Sequence, residues 1–344
     1  LMNFSDVSYK SFVKSESEII TLFYDKFADI PLLSRMDAVA ETFIDEIETL
    51  LNRDLPEEER IPLIEKFQKM YETMDFYVLY NRFLKKEGYQ TLPRRPLEKR
   101  KLRYEDVYPV LYLKYRLSRQ AERSNIKHLV IDEMQDYSRL QYLIIRRMFS
   151  CKMTILGDRA QTMADQQQDV LQFLPGIFGK DLRRIEMRKS YRNTVEIASY
   201  AANLIGVTDL ELFERHGMPV LERNVTDLEA ALREAVDTLF PDEKTYETAA
   251  VIVPDEKTAE RAYLILREIL AEKDFDCEKR LSWLNRDSSS FKKGLTVTTF
   301  YLAKGLEFDQ VFSIFPKDEK REMMMQAQYI AATRALHELR VYHI

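Results

Sequence analysis

Thiols and glycines are both scarce in these 344 residues, which contain 2 cysteines, Cys151 and Cys277, and 8 glycines. Two cysteines at no metal-ligand spacing exclude a disulfide framework and a zinc site, and they fit a reducing cytosol. The glycine shortage excludes something more specific. A triphosphate is cradled by Gly-x-x-x-x-Gly-Lys-Ser/Thr, whose backbone amides and lysine bind the phosphates. Here only Gly179 precedes a lysine, Lys180 is followed by Asp181, and Leu174 stands where the first glycine belongs. No P-loop is present in the sequence. Apolar runs are short: none approaches the roughly 18 residues needed to cross a bilayer, and the opening Leu1-Met2-Asn3-Phe4 is no signal peptide. A soluble, cytoplasmic protein is expected, and the Leu1 start reads as a portion of a longer chain. Positive charge is not in excess either. A net charge of -5 argues against a chain-wide electrostatic grip on nucleic acid, leaving only local patches. The candidates are Arg94, Arg95, Lys99, Arg100, Lys101 and Arg103, and separately Arg183, Arg184, Arg188 and Lys189. A solvated linker explains the first equally well.

Hydrophobic residues make up 45% of the chain, enough for two or three globular domains. Residues 1–125 read as helical. Met36, Val39, Ala40, Phe43, Ile44, Ile47, Leu50 and Leu51 recur at helical spacing behind Ser34, with Asp37 in a capping-box-like position. Ile64, Phe67, Met70, Tyr71 and Met74, then Tyr104, Val107, Tyr108, Leu111, Tyr112 and Tyr115, make further stripes, and Pro93 and Pro96 break the pattern between them. From His128 short apolar strands alternate with helices. Strands are expected over 129–131, 153–156, 184–187, 249–253, 295–299, 311–314 and 339–342, with helices over 194–205 and 257–273. This alternation predicts an α/β fold with parallel sheets flanked by helices, divided near Gly206 into residues 126–205 and 206–344.

The run from His128 to Tyr137, HLVIDEMQDY, places Asp132 and Glu133 where an apolar strand ends, the edge at which open α/β sheets bind ligands. Such a pair suits nucleotide hydrolysis, which needs one carboxylate for Mg²⁺ and another to orient or deprotonate water. A plainer reading has Asp136 or Ser138 capping the helix that follows. Further on, the strand at 153–156 runs into Gly157-Asp158-Arg159-Ala160-Gln161, whose terminal amide can bond both a water and a phosphate oxygen. Tyr191 and Arg192 offer a stacking face and a planar phosphate fork. Gly305 sits in Thr298 to Asp309, TTFYLAKGLEFD, and Arg334 is expected on a helix that packs through Tyr329, Ile330 and Ala332.

Taken in order, these segments resemble the motifs of the UvrD, Rep and PcrA family of superfamily 1 helicases, from about Ile126 to the C-terminus. The segment before carries no family motif. The resemblance implies two RecA-like domains, the first incomplete here, that bind ATP between them and turn its hydrolysis into movement along nucleic acid. It implies Asp132 as the Mg²⁺ ligand and Glu133 as the residue that activates water. Gln135 and Gln161 would couple phosphate state to domain closure, and Tyr191 would stack on adenine. Arg192 would reach the γ-phosphate, Glu307 would bind the ribose with Gly305 allowing close approach, and Arg334 would be an arginine finger. Without its P-loop the chain is expected to be inactive alone, the cradle lying upstream in the parent protein.

Two departures touch the nucleic-acid side. Tyr301 stands where the family usually has histidine, and Thr162 to Gln168 replaces an aromatic platform worth roughly 1–3 kcal/mol per stacked base. Met134 and Tyr137 around the acidic motif, the run from Tyr301 to Phe308, YLAKGLEF, and the short segment between Gly206 and Gly294 look most like the HelD-type ATPases of Gram-positive bacteria. That resemblance implies RNA polymerase as partner and residues 1–125 as part of a helical arm. A DNA-repair helicase or translocase, with DNA as partner, is the alternative, and a non-catalytic structural remnant is a third.

Overall fold

The computed structural model describes residues 2–119, 125–158, 161, 170–207, 211–240, 246–273, 275–286, 288, 293–317 and 322–344. It divides into two compact units, Leu1–Leu156 with Val170–Leu182, and Gly157–Asp169 with Arg183–Ile344. No described helix is long and apolar enough to cross a membrane.

The first unit opens with an antiparallel hairpin, β1 (Val7–Tyr9) and β2 (Phe12–Lys14), followed by α1 (Glu16–Thr21), α2 (Arg35–Leu51), α3 (Glu57–Gln68), α4 (Phe76–Lys86) and α5 (Tyr104–Leu117). The stripe on α2 buries Met36, Val39, Ala40, Phe43, Ile44 and Ile47 against Phe23, Leu63 and Phe67. Leu50 is exposed, contrary to the expected pattern, because the helix is about to turn away at Asn52, a left-handed C-cap. The capping box expected at Ser34 and Asp37 does not form. The Ser34 hydroxyl accepts the Arg119 N–H (3.2 Å) and Asp37 accepts from Gln68 Nε2 (2.8 Å).

The aromatic stripe on α5 also departs from expectation. Tyr104 is largely exposed, and none of its companions belongs to an apolar core. Tyr108, Leu111, Tyr112 and Tyr115 are half-buried, and the opposite face packs Val110 and Leu113 against α4 around the buried Asp106. That carboxylate accepts from Tyr80 Oη (2.8 Å) and Arg103 Nε (2.6 Å). Burial opposes its ionisation, yet these two hydrogen bonds prevail and hold its pKa below the usual range.

Beyond the helices, β3 (His128–Ile131) and β4 (Lys152–Ile155) pair in parallel, with α6 (Arg139–Met148) between them and α7 (Val170–Phe178) after them. Ile131 is buried with Tyr142, Val170 and Leu174, but Val130 is 60% exposed. The strand was expected to be central and apolar throughout. Alternate side chains point to opposite faces, and among the described residues only the Ile131 face is covered by a core.

The second unit comprises β5 (Lys189–Ser190), α8 (Val195–Ile205), β6 (Glu211–Leu212), β7 (Leu221–Asn224), α9 (Leu228–Asp237), β8 (Thr248–Val253), α10 (Glu256–Ala271), α11 (Cys277–Arg280), β9 (Leu281–Trp283), β10 (Gly294–Thr299), β11 (Phe308–Phe315), α12 (Glu322–Ala332) and β12 (Ala335–His343). Six strands form a wholly parallel sheet in the order β7-β12-β11-β8-β10-β9. Its two faces bury two separate cores. Ala249, Val251 and Val253 of β8 meet α9 and α10, while Ala250 and Ile252 meet α8 and α12. A strand covered on both sides is apolar without alternation, which is why β8 stands out in the sequence, while β10, β11 and β12 carry polar residues among their apolar ones. The architecture is α/β, a parallel sheet flanked by helices, consistent with a RecA-like fold.

Two expectations change here. No strand forms over Arg184–Met187, where Ile185 and Met187 are exposed; pairing begins only at Lys189. Arg334 lies in the turn after α12 rather than on the helix. Gly206 is the left-handed C-cap of α8.

Candidate functional site

In the first unit the acidic pair occupies a two-residue bulge. Leu156 donates its N–H to Ile131 O (2.8 Å) and accepts at its carbonyl from Met134 N (2.8 Å), so residues 131 and 134 are both pinned to the end of β4. Asp132 and Glu133 must span the gap, which forces Glu133 to φ 50, ψ 53. A left-handed conformation costs a non-glycine residue about 1–2 kcal/mol. The Asp132 Oδ1 accepts the Glu133 N–H (2.8 Å), stabilising the bulge. Asp132 remains exposed, and Glu133 Oε2 accepts from Gln135 Nε2 at 2.6 Å. Gln135 is buried, so it fixes the direction of the Glu133 carboxylate. The plainer capping role falls to Ser138, whose hydroxyl and Gln141 form a capping box on α6. Capping therefore leaves Asp132 and Glu133 unexplained.

The donor set fits magnesium better than a transition metal. Mg²⁺ typically takes one or two carboxylates and fills its remaining positions with water and phosphate, and two adjacent carboxylates on an open loop are what the bulge offers. Among the described residues no group of three or more His, Cys, Asp or Glu side chains stands ready to hold a metal ion.

The second unit gathers Gln161, Asp158, Tyr329 and Arg334. Gln161 is buried; its Nε2 donates to Asp158 Oδ2 (3.0 Å) and its Oε1 accepts from Arg334 Nη2 (3.3 Å). Tyr329 Oη donates to the same Asp158 oxygen at 3.0 Å, and burial followed by the Asp158 charge raises its pKa. Arg334 is 1% exposed. Its guanidinium also reaches Ile330 O (3.3 Å), Leu306 O (3.5 Å) and Thr333 Oγ1 (3.2 Å). A buried arginine held by carbonyls, a hydroxyl and an amide is a directed cation rather than the solvated helix face that is its commoner setting. Asp158 and Tyr329 were not singled out in the sequence as members of this group. Only their nearness to Gln161 and Arg334 along the chain hinted at it.

A second cluster in this unit holds Tyr191, Arg192, Gly305 and Glu307. Tyr191 is largely exposed, tilted against Phe213 with ring centroids 5.6 Å apart, and Lys189 Nζ lies 5.5 Å from its ring centre. Arg192 Nε pairs with Glu307 Oε1 at 2.7 Å, both side chains about half exposed. Gly305 has φ 77, and a Cβ there would meet nothing within 4 Å. The glycine is thus explained by its backbone conformation, with open space beside it.

The three residues after Leu306 act separately. Glu307 faces Arg192. Phe308 is fully buried in the α8 and α12 core. Asp309 Oδ2 accepts from Glu247 N (2.8 Å), Thr248 N (2.9 Å) and Thr248 Oγ1 (2.9 Å), joining β11 to the start of β8. Tyr301, the residue in place of histidine, packs partly buried against the same core and stands edge-on to Phe300. Arg159, Ala160 and the segment Thr162 to Gln168 lie outside the described residues. Of the basic clusters, Arg100 pairs with Asp75 (2.5 Å), Arg103 with Asp106 (2.6 Å), and Arg184 and Arg188 with Glu186.

Residues 6–163 match the family model described as the UvrD/REP helicase N-terminal domain. The match begins far ahead of Ile126, so the helical segment, which carries no recognisable motif, lies inside it. No curated protein matches the chain. Among solved structures, the C-terminal domain of a possible DNA helicase from Lactobacillus plantarum WCFS1 is 24% identical with a TM-score of 0.35, over 45% of this chain and 88% of that one. A PRRSV helicase is 16% identical with a TM-score of 0.35, over 63% of this chain and 35% of its own.

Proposed function

We propose that this chain belongs to the ATP-driven motor of a superfamily 1 helicase or translocase of the UvrD/Rep kind. The observation that carries the reading is the buried Arg334, aimed at Gln161 from a turn 173 positions away in sequence. Hydrogen bonds to Ile330 O, Leu306 O, Thr333 Oγ1 and Gln161 Oε1 fix the buried guanidinium, and a cation fixed beside a glutamine amide suits an incoming phosphate. The match of residues 6–163 to a helicase domain supports the same reading.

In this mechanism Asp132 would hold Mg²⁺, which when bound would neutralise phosphate charge. Glu133, its carboxylate directed by Gln135, takes the proton from the attacking water. Arg192 and Arg334 stabilise charge on the transferred phosphoryl group. Tyr191 stacks on the base and Glu307 binds the ribose. These 344 residues contain no phosphate cradle, so turnover is proposed for the protein that carries them. We further propose a HelD-type role, in which hydrolysis drives release or remodelling of RNA polymerase. Tyr301 supports it: packed against the core, its ring is poorly placed to serve nucleic acid. The second reading is a DNA repair motor, with which the match to a UvrD/REP helicase domain is equally compatible.

The test is ATP hydrolysis by the full-length protein. Glu133→Gln is expected to lower turnover at least about a hundredfold. Undiminished hydrolysis would remove the catalytic assignment. Co-purification with RNA polymerase and weak stimulation by single-stranded DNA are expected for the HelD-type role. Strong DNA stimulation without polymerase would favour the repair motor.

A further inference from the structure

The loop carrying Arg192 and the turn carrying Arg334 are fastened to each other by two side chains that neither the motifs nor the mechanism employs. Asn193, buried, donates Nδ2–H to Ala335 O at 2.6 Å and to Thr333 O at 3.3 Å. Arg215 grips the same two segments, its Nη2 donating to Arg192 O and to Leu336 O (2.5 Å). Both hydrogens of one planar nitrogen are thereby spent on carbonyls flanking the two motif arginines. Arg215 is itself held. Its N–H donates to Phe213 O (2.7 Å), its carbonyl accepts from Val195 N (2.9 Å), and two residues on the Gly217 N–H donates to Glu196 Oε2 (2.8 Å). Gly217 has to be glycine, since a Cβ would come within 2.6 Å of Thr194 Cγ2.

Generic packing does not account for this arrangement. Among the described residues Arg215 Nε is buried with no hydrogen-bond partner, and leaving such a donor unmet is unfavourable. A side chain kept at that cost is explained if its far end sets a geometry. We propose that Asn193 and Arg215 are positioning residues, a yoke that locks the Arg192 loop onto the Arg334 turn so that the two arginines keep a fixed spacing and meet one phosphoryl group together. The yoke rests on the functional reading above, in which both arginines act on the nucleotide.

Steady-state ATP hydrolysis by the full-length protein tests it. Asn193→Ala and Arg215→Ala are each expected to lower kcat about tenfold to a hundredfold, the effect of misplacing a catalytic group by about 1 Å, with KM for ATP changed less than about threefold. Arg215→Lys, which keeps the charge but not the planar donor, should restore part of the loss. The deciding measurement is a double-mutant cycle: in an Arg192→Ala background, adding Arg215→Ala should lower kcat by less than about twofold, because only one arginine remains to be spaced. A merely structural role would instead give the full loss again. An additive cycle, or single variants with wild-type kcat, overturns the yoke. If Arg215→Ala does not fold, Asn193→Ala and Arg215→Lys carry the same cycle. Failure of the wider reading is distinguishable, since Glu133→Gln would then hydrolyse ATP normally, whereas failure of the yoke alone leaves Glu133→Gln inactive.

Discussion

Arg334→Ala should destabilise the second unit as well as disturb its chemistry, and the size of that effect follows from where the side chain sits. The residue is 1% exposed, so the substitution empties a site the size of a long side chain between α12 and the turn at Leu306. Two buried methylenes, Cγ and Cδ, contribute about 0.8 kcal/mol each. Four hydrogen bonds of 3.2–3.5 Å are lost with the guanidinium. At those lengths each falls short of the roughly 1.5–3 kcal/mol of a good bond to a charged group. Removing a buried charge returns part of the total, because its desolvation is relieved. A net loss of about 3 kcal/mol remains, which for a unit of this size lowers Tm by about 6–12 °C. Arg334→Met keeps most of the stem and should lose about half as much. Calorimetry on the 344-residue chain reads both. A Tm within about 2 °C of the parent for Arg334→Ala would show that the guanidinium is not seated as described. Kinetic tests of Arg334 therefore belong to Arg334→Met, well below its melting temperature.

Three other substitutions separate structural from chemical roles. Asp309→Ala strands the Glu247 and Thr248 amides at the start of β8 and should cost about 2–4 kcal/mol; a denaturant midpoint unchanged from the parent would refute that joint. Glu196 has its pKa depressed to about 2 by hydrogen bonds from His216 and the Gly217 N–H. Its contribution is therefore complete above the usual carboxylate range and lost as pH falls toward 2. The full shift corresponds to at most ~3 kcal/mol, and solvent screening brings it nearer ~1 kcal/mol. Glu196→Gln should flatten the acid limb of stability between about pH 5 and pH 2, and an identical limb in the variant would count against it. Tyr191→Ala, at an exposed ring, should leave stability within about 0.5 kcal/mol while raising KM for ATP in the full-length protein. An unaltered KM would take the base-stacking role from Tyr191.

Strand β8 was legible because both faces are covered, so it reads as a nearly unbroken apolar run, while β10, β11 and β12 were found from the shorter apolar segments within them. The edge strands β7 and β9 were not: Leu221–Asn224 is exposed and polar, and Leu281–Trp283 is only 3 residues long. Helical spacing located α5 but missed its second packed face. Periodicity reports that a stripe exists and leaves open what the other side does; on α5 a buried Asp106, satisfied by Tyr80 and Arg103, lies on the face opposite the aromatic stripe. The same limit applies to the acidic pair. Its place at a strand end was readable from Leu129, Val130 and Ile131, whereas the left-handed Glu133 follows from a double clamp by Leu156, a residue with no special chemistry of its own.

Glu307, Phe308 and Asp309 carry this furthest, because a motif that reads as one block turns out to face three ways. Phe308 belongs to the core and Asp309 to the join between β11 and β8, so their presence here needs no ligand to explain it. Glu307 differs: its pairing with Arg192 at 2.7 Å leaves both side chains about half exposed. An ion pair so placed contributes at most about 1 kcal/mol, too little to keep either partner from an incoming nucleotide. A phosphate offers Arg192 a more highly charged, bidentate acceptor than Glu307 does, and a ribose hydroxyl offers the released carboxylate a donor. On the proposed function the pair is a resting arrangement that a nucleotide would exchange, while the proposed yoke of Asn193 and Arg215 would hold the backbone beneath Arg192 in place as its side chain changes partner.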